Sequence, residues 1–217
     1  MIRERKLARK LSILGAIGFL LFATGCATVV PMYHEGTGSE LAINDQAVGF
    51  MTIRVSNQFK DNMQPDMGMI RALNSAGKVH SLKLAKPFDE LDKVYKYYLV
   101  SFKLAPGTYS LEKIIGWKRI PLLVNATCVF DLNKTVTLEA KEMAYLGGLD
   151  IVIREKLGVG EEPPAGPPIP LIDQAVAGFS TGTYDLKILD KYDTDVAIFR
   201  ENFPFIGETP ISSKVFK

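Results

Sequence analysis

The sequence predicts a mainly β chain: an antiparallel β-sandwich with one short C-terminal helix, set behind an N-terminal export segment. Three observations predict it. From residue 47 onward apolar side chains recur at every second position, the period of strands with one buried face. Turn-forming Gly, Pro, Asn and Asp residues separate these runs at short intervals, as in all-β sandwiches. Only one later stretch, 194–203, carries an apolar stripe at helical spacing.

The first strand is expected over 47–56, where Met51, Ile53 and Val55 alternate with Thr52, Arg54 and Ser56. The second, 79–85, places Leu82 and Leu84 on either side of Lys83. In the third, Tyr98, Val100, Phe102 and Leu104 share a face, with Lys96, Ser101 and Lys103 interrupting the apolar stretch. Pro106-Gly107 then reads as a turn, because Pro presets φ at the first corner and Gly accepts the positive φ that follows. A hairpin is expected there, its return strand 108–115 pointing Tyr109, Leu111 and Ile115 inward and Ser110 and Glu112 outward.

Strands follow at 122–132, 135–139 and 143–154, with Asn133-Lys134 as the turn between the first two. Cys128, Phe130 and Leu132 fall on one face, so Cys128 reads as inert core packing. The run 143–153 is almost continuously apolar, as a central strand is, and Gly147-Gly148 within it marks a bulge. The segment 161–170 holds five prolines, at 163, 164, 167, 168 and 170, and cannot enter a sheet interior. It reads as a stiff loop projecting between strands, with a polyproline II ligand as the alternative. Tyr184, Leu186 and Ile188 alternate inward in a last strand. In the helix, Asp193 is the expected N-cap, Val196, Phe199 and Phe203 form the stripe, and Pro204 is the stop.

At 217 residues with 47% apolar and 23% charged side chains, the chain fits one globular domain with extensions and excludes a disordered or fibrous one. Two cysteines exclude a disulfide framework. His34 and His80 each lack a nearby Cys or second His, and read as surface or satisfied histidines. Asp89, Glu90 and Asp92 lack the ligand spacing and glycine of a calcium loop. Leu157-Gly158-Val159-Gly160 is followed by Glu161, Glu162 and prolines where the helix of a phosphate loop has to start. Asn125-Ala126-Thr127 and Asn133-Lys134-Thr135 read as strand and turn chemistry rather than glycosylation sites. No catalytic, metal-binding or cofactor-binding residue is assigned, and no cofactor is expected.

Arg3, Arg5, Lys6, Arg9 and Lys10 precede an apolar run from 11 to 23, the layout of a signal peptide. As a helix that run measures roughly 20 Å, short of the ~30 Å hydrocarbon core of a bilayer. Phe22-Ala23-Thr24-Gly25-Cys26 resembles the lipobox of bacterial lipoproteins. The resemblance implies cleavage between Gly25 and Cys26, a diacylglycerol thioether on Cys26 and acylation of its new amino group. Each buried CH₂ contributes about 0.8 kcal/mol, so two or three chains hold such a protein in the membrane. A residue other than Asp after the cysteine, here Ala27, implies the outer membrane, facing the periplasm. The expected organisation is a signal peptide at 1–25, a lipidated tether at 26–45 and a β-sandwich domain at 46–217 that contains the proline loop. Cleavage turns the precursor's net charge of +2 into about −2, with 21 basic against 23 acidic residues left.

Leu104-Ala105-Pro106-Gly107-Thr108-Tyr109-Ser110-Leu111 resembles the strand-turn-strand signature of prealbumin-like and carboxypeptidase-regulatory-like sandwiches. Tyr145 to Ile151 and the closing Asp193-Thr194-Asp195 with Phe203-Pro204 look like segments of uncharacterised bacterial outer-membrane lipoproteins built on such a domain. The likeness covers about 47–206 and implies an immunoglobulin- or prealbumin-like sandwich, with no catalytic residue to carry over. The function expected is that of a non-catalytic, lipid-anchored envelope protein that presents a strand edge or the proline loop to another protein or to peptidoglycan. Two alternatives stand beside it: a hydrolase using carboxylates such as Asp150, Asp173 or Asp185, and a small-ligand carrier. A pair of facing carboxylates ~5–10 Å apart in a cleft favours the first, and an enclosed apolar cavity the second. Nucleic acid is not an expected partner, since the mature chain lacks a basic cluster.

Overall fold

The computed structural model describes residues 28–30, 45–91, 94–121, 125–158, 162–168 and 172–217, and in them the chain is a two-sheet β-sandwich. The strands are β1 (Thr28–Val30), β2 (Ala47–Asn57), β3 (Asp66–Asn74), β4 (Val79–Lys83), β5 (Asp89–Leu91), β6 (Tyr95–Leu104), β7 (Gly107–Arg119), β8 (Asn125–Leu138), β9 (Met143–Glu155), β10 (Gly182–Leu189) and β11 (Ser212–Ser213). Two helices, α1 (Ile172–Ala177) and α2 (Tyr192–Asn202), flank β10 in sequence. The first sheet has the order β1-β4-β3-β7-β8, and the second β10-β9-β2-β6-β5 with β11 beside β9. Most neighbours are antiparallel, but β1 runs parallel to β4, and β9 runs parallel to both β2 and β11.

Between the sheets, Met51, Tyr98 and Phe102 of the second meet Ile70, Leu111 and Phe130 of the first in the main core. Cys128 and Leu132 join them, as the alternation in this strand predicts. A second core lies on the other side of the second sheet, where Val48, Phe50, Leu99, Met143 and Tyr145 receive Val196, Phe199 and Phe203 of the α2 segment. The central strands β2 and β9 are therefore covered on both faces, which is why β9 reads as an unbroken apolar run. Gly147, at φ 112, sits in the bulge of β9 where the register with β2 shifts. The predicted stripe of α2 is the face that packs. The helix begins two residues before the expected start, so Asp193 lies in its first turn rather than at the cap, still favourably placed for the helix dipole. Pro204 ends it in a 3₁₀ turn.

The expected hairpin at Pro106-Gly107 is an arch instead: β6 belongs to the second sheet and β7 to the first. A tight turn specifies reversal of the chain but not which sheet receives it. The Tyr109 hydroxyl donates to the Ala105 carbonyl at 2.9 Å, pinning this crossing as a tyrosine corner does. Along β7 the inward phase then changes. Arg71 pairs with Lys113 but Ala72 pairs with Leu111, so Glu112 is an extra bulged residue. After it Ile114, at 0% exposure, takes the core position expected for Ile115. The expected turn at Asn133-Lys134 is also a bulge. Asn133 adopts φ 47, and β8 pairs with β7 on both sides of it as one strand. The strands β1, β3, β5 and β11 and the helix α1 carry no clear periodic signal in the sequence.

Candidate functional site

The described part of the proline-rich segment, 162–168, does not project. Ala165 and Gly166 are buried between the outer strands of the two sheets. Val129 of β8 donates its N–H to the Ala165 carbonyl at 2.8 Å, Ala165 donates to the Gly182 carbonyl of β10 at 3.1 Å, and the Thr183 hydroxyl donates to the Pro163 carbonyl at 2.8 Å. Two further side chains complete the seam along β8. The Tyr184 hydroxyl accepts the Asp131 N–H at 2.9 Å, and the Gln174 amide, oriented by its surroundings, accepts the Thr127 N–H at 3.0 Å. Three successive outward N–H groups of the β8 edge are thus satisfied, which blocks strand addition there.

A deeply buried polar cluster lies under α2. Asp195 is 1% exposed. Thr52 and Tyr145 donate their hydroxyls to its Oδ2 at 2.7 and 2.6 Å, and Tyr97 donates to Oδ1 at 3.3 Å. Gly148 makes the room: a Cβ there would lie 3.0 Å from Thr52 Oγ1 and 3.4 Å from Asp195 Oδ2. Burial, reinforced by the carboxylate and partly offset by Thr52, pushes the Tyr97 phenol up to about 12. Burial and the same carboxylate also push Tyr145 up. Both phenols therefore remain protonated donors. With three hydroxyls on the carboxylate and no exposed face, this cluster anchors α2 to the sheet rather than presenting an acid or base to a substrate.

An open concavity lies beside this cluster, toward the β5 edge of the second sheet. Pro87, Phe88, Leu99 and Phe203, with Lys86 and Asn202, line a groove of about 510 Å³. It borders β5, the last strand of that sheet among the described residues. Phe88 is held by its N–H to the Tyr97 carbonyl at 2.7 Å and by an edge-on contact with the Tyr97 ring, yet its side chain is 49% exposed. This surface escaped the sequence reading because Ala85-Lys86-Pro87-Phe88 looks like an ordinary loop. The one available signal was a phenylalanine directly after a proline.

Two of the three carboxylates considered for hydrolysis, Asp150 and Asp185, are held in ion pairs on the outer face of the second sheet. Asp150 is gripped by both sides of the Arg54 guanidinium, at 2.6 and 2.9 Å, with Tyr95 stacked beneath the cation. Asp185 takes Arg154 at 3.0 Å, which also binds Glu162 at 2.8 Å. In register Asp150 faces Lys187 and Asp185 faces Val152, so the two do not oppose one another across a cleft. Asp173 lies on α1. Asp89 and Glu90 belong to β5, and Asp92 lies outside the described residues. Among the described residues no three of His, Cys, Asp and Glu gather as a metal site. Cys26, His34 and the signal peptide also lie outside the described residues, and no described helix is long and apolar enough to cross a membrane.

Cys128 is fully buried and its thiol is pushed up by burial, so it is an unreactive packing residue. His80 is buried with its ring edge-on to Tyr109, and neither ring nitrogen has a partner among the described residues, contrary to the expectation of a surface or satisfied histidine. Burial first, and Lys78 second, lower its pKa from the usual 6.5. The folded state therefore binds this proton less well than the unfolded chain. The stability it allows is present above the ordinary histidine value and is lost as pH falls from there through the lowered one. Unfolding free energy measured in urea is expected to drop between pH 7 and 5, and His80→Leu to flatten that drop. An unchanged slope in the variant assigns the acid sensitivity elsewhere.

Comparison with protein-family models, curated proteins and solved structures finds no match to this chain.

Proposed function

We propose that the protein is a lipid-anchored component of a bacterial cell envelope that docks another polypeptide and performs no catalysis. The lipobox-like Phe22 to Cys26 supports the anchor, through a thioether on Cys26, and Ala27 supports the outer membrane with the domain in the periplasm. The likeness to lipoproteins with prealbumin-like domains supports the same reading.

The observation that carries the docking role is the half-exposed Phe88 beside a groove and a strand edge. The seam closes the β8 edge at residues 127–131, and β5 is an edge strand that borders the apolar groove beside Phe88. An extended segment of the partner adds to β5 through main-chain bonds and places an apolar side chain in the groove, the usual division between affinity and specificity in strand addition. Peptidoglycan is the second candidate partner. A photoreactive residue replacing Phe88 in intact cells is expected to yield one discrete protein adduct. The same probe at exposed Thr108 on the first sheet is expected to yield none. Adducts of equal pattern from both positions, or adducts that vanish on muramidase treatment, overturn the polypeptide-docking reading.

A further inference from the structure

We propose that the domain stands end-on against the bilayer, with the β3–β4, β6–β7 and β8–β9 connections facing the lipid headgroups, instead of swinging on a free tether. The inference rests on the lipidation of Cys26 read above, and its new element is β1. Thr28–Val30 lies within the segment expected to be tether, yet it is a strand of the first sheet, parallel to β4, with Thr28 opposite His80 and Val30 opposite Leu82. Only Ala27 separates Thr28 from Cys26, a reach of at most about 7 Å of extended chain. The lipid therefore holds the start of β1 close to the membrane surface.

The register shows which end of the sandwich that is. β1 and β4 run in the same direction, so Thr28 lies where β4 leaves the β3–β4 turn. Leu73 pairs with Val79 and Asn74 with Tyr109 at this end, followed by Thr108 with Thr137, Ala47 with Leu104 and Val48 with Met143. The exposed side chains here are small or charged: Ser75, Ala76, Lys78, Pro106, Glu139 and Lys141. Such an end meets headgroups without inserting. Exposed Trp117, Leu157 and Val176 lie at the opposite end. Trp117 pairs with Thr127 near the close of β7, Leu157 follows β9, and Val176 sits on α1 beside the Gln174–Thr127 contact. The 13 residues of β7 separate the two ends by about 40 Å.

The test uses the full-length lipidated protein in vesicles of phosphatidylethanolamine and phosphatidylglycerol that carry an energy-transfer acceptor on some headgroups. A donor dye is placed on Ala76→Cys or on Leu157→Cys, both exposed sites, while buried Cys128 stays unlabelled. Strong transfer from position 76 and its near-complete loss at 157 are expected. In a Thr28→Pro/Val29→Pro variant, which removes two of the three β1 N–H groups, the difference between the two positions is expected to shrink while the circular dichroism of the sandwich is retained. Equal transfer from both positions in a lipidated chain overturns the orientation alone. Mass spectrometry of the same sample showing Cys26 without lipid overturns both the orientation and the anchoring reading.

Discussion

Asp195→Ala is expected to lower the unfolding free energy by about 3–4 kcal/mol, because each buried hydroxyl stripped of its acceptor costs roughly 1–3 kcal/mol. Thr52 and Tyr145, at 2% and 0% exposure, have no water to turn to, whereas half-buried Tyr97 recovers part of its loss. The carboxylate also joins elements 143 residues apart, so its removal frees α2 as a unit. The effect is read as a lower urea midpoint together with faster proteolysis within 192–202. Asp195→Asn keeps an acceptor in place and is expected to lose about half as much. If the Ala variant unfolds within about 0.5 kcal/mol of the native protein, a typical surface-substitution effect, the cluster does not anchor the helix.

Gly166→Ala is expected to cost about 3 kcal/mol, at the upper end of what overpacking a close-packed site usually costs. A Cβ at 166 would lie 2.5 Å from the Thr127 carbonyl oxygen and 2.8 Å from Phe179 Cβ, neither of them the free end of a flexible side chain. The segment 162–168 has to move away, and Val129 then loses the Ala165 carbonyl that covers the β8 edge. Two readouts follow: a lower urea midpoint, and concentration-dependent light scattering from an edge opened to strand pairing. Exposed Pro168→Ala in the same segment is expected to stay within about 0.5 kcal/mol. Equal midpoints for the two variants would show that the seam carries no stability.

The sandwich was legible because burial on alternate positions leaves its period in the sequence. Met51, Ile53 and Val55, or Cys128, Phe130 and Leu132, declare their shared face without any tertiary information. The stripe of Val196, Phe199 and Phe203 declared α2 in the same way. What the pattern lacked was long-range. Pro106-Gly107 encodes a reversal, and only the packing of Leu104 and Leu111 into one core from opposite sheets makes it an arch. Glu112 and Asn133 shift the phase by bulging, which a strict period cannot show in advance. The proline segment was misread as projecting because proline excludes a strand interior but says nothing against bridging two strand edges through its carbonyls. The groove beside Phe88 joins residues more than a hundred positions apart, Phe88 and Phe203, and so had no local signature.

The proposed lipid on Cys26 is the premise that would place the domain at a membrane, and it is open to direct measurement. The protein purified from the membranes of a double-membraned bacterial host is digested, and its N-terminal fragment is weighed by mass spectrometry. The predicted fragment begins at Cys26 and carries a diacylglycerol thioether with an acylated amino group. A fragment that begins at Met1, or one that contains Cys26 with a free thiol, would contradict the anchor and with it the proposed place of the protein in the envelope.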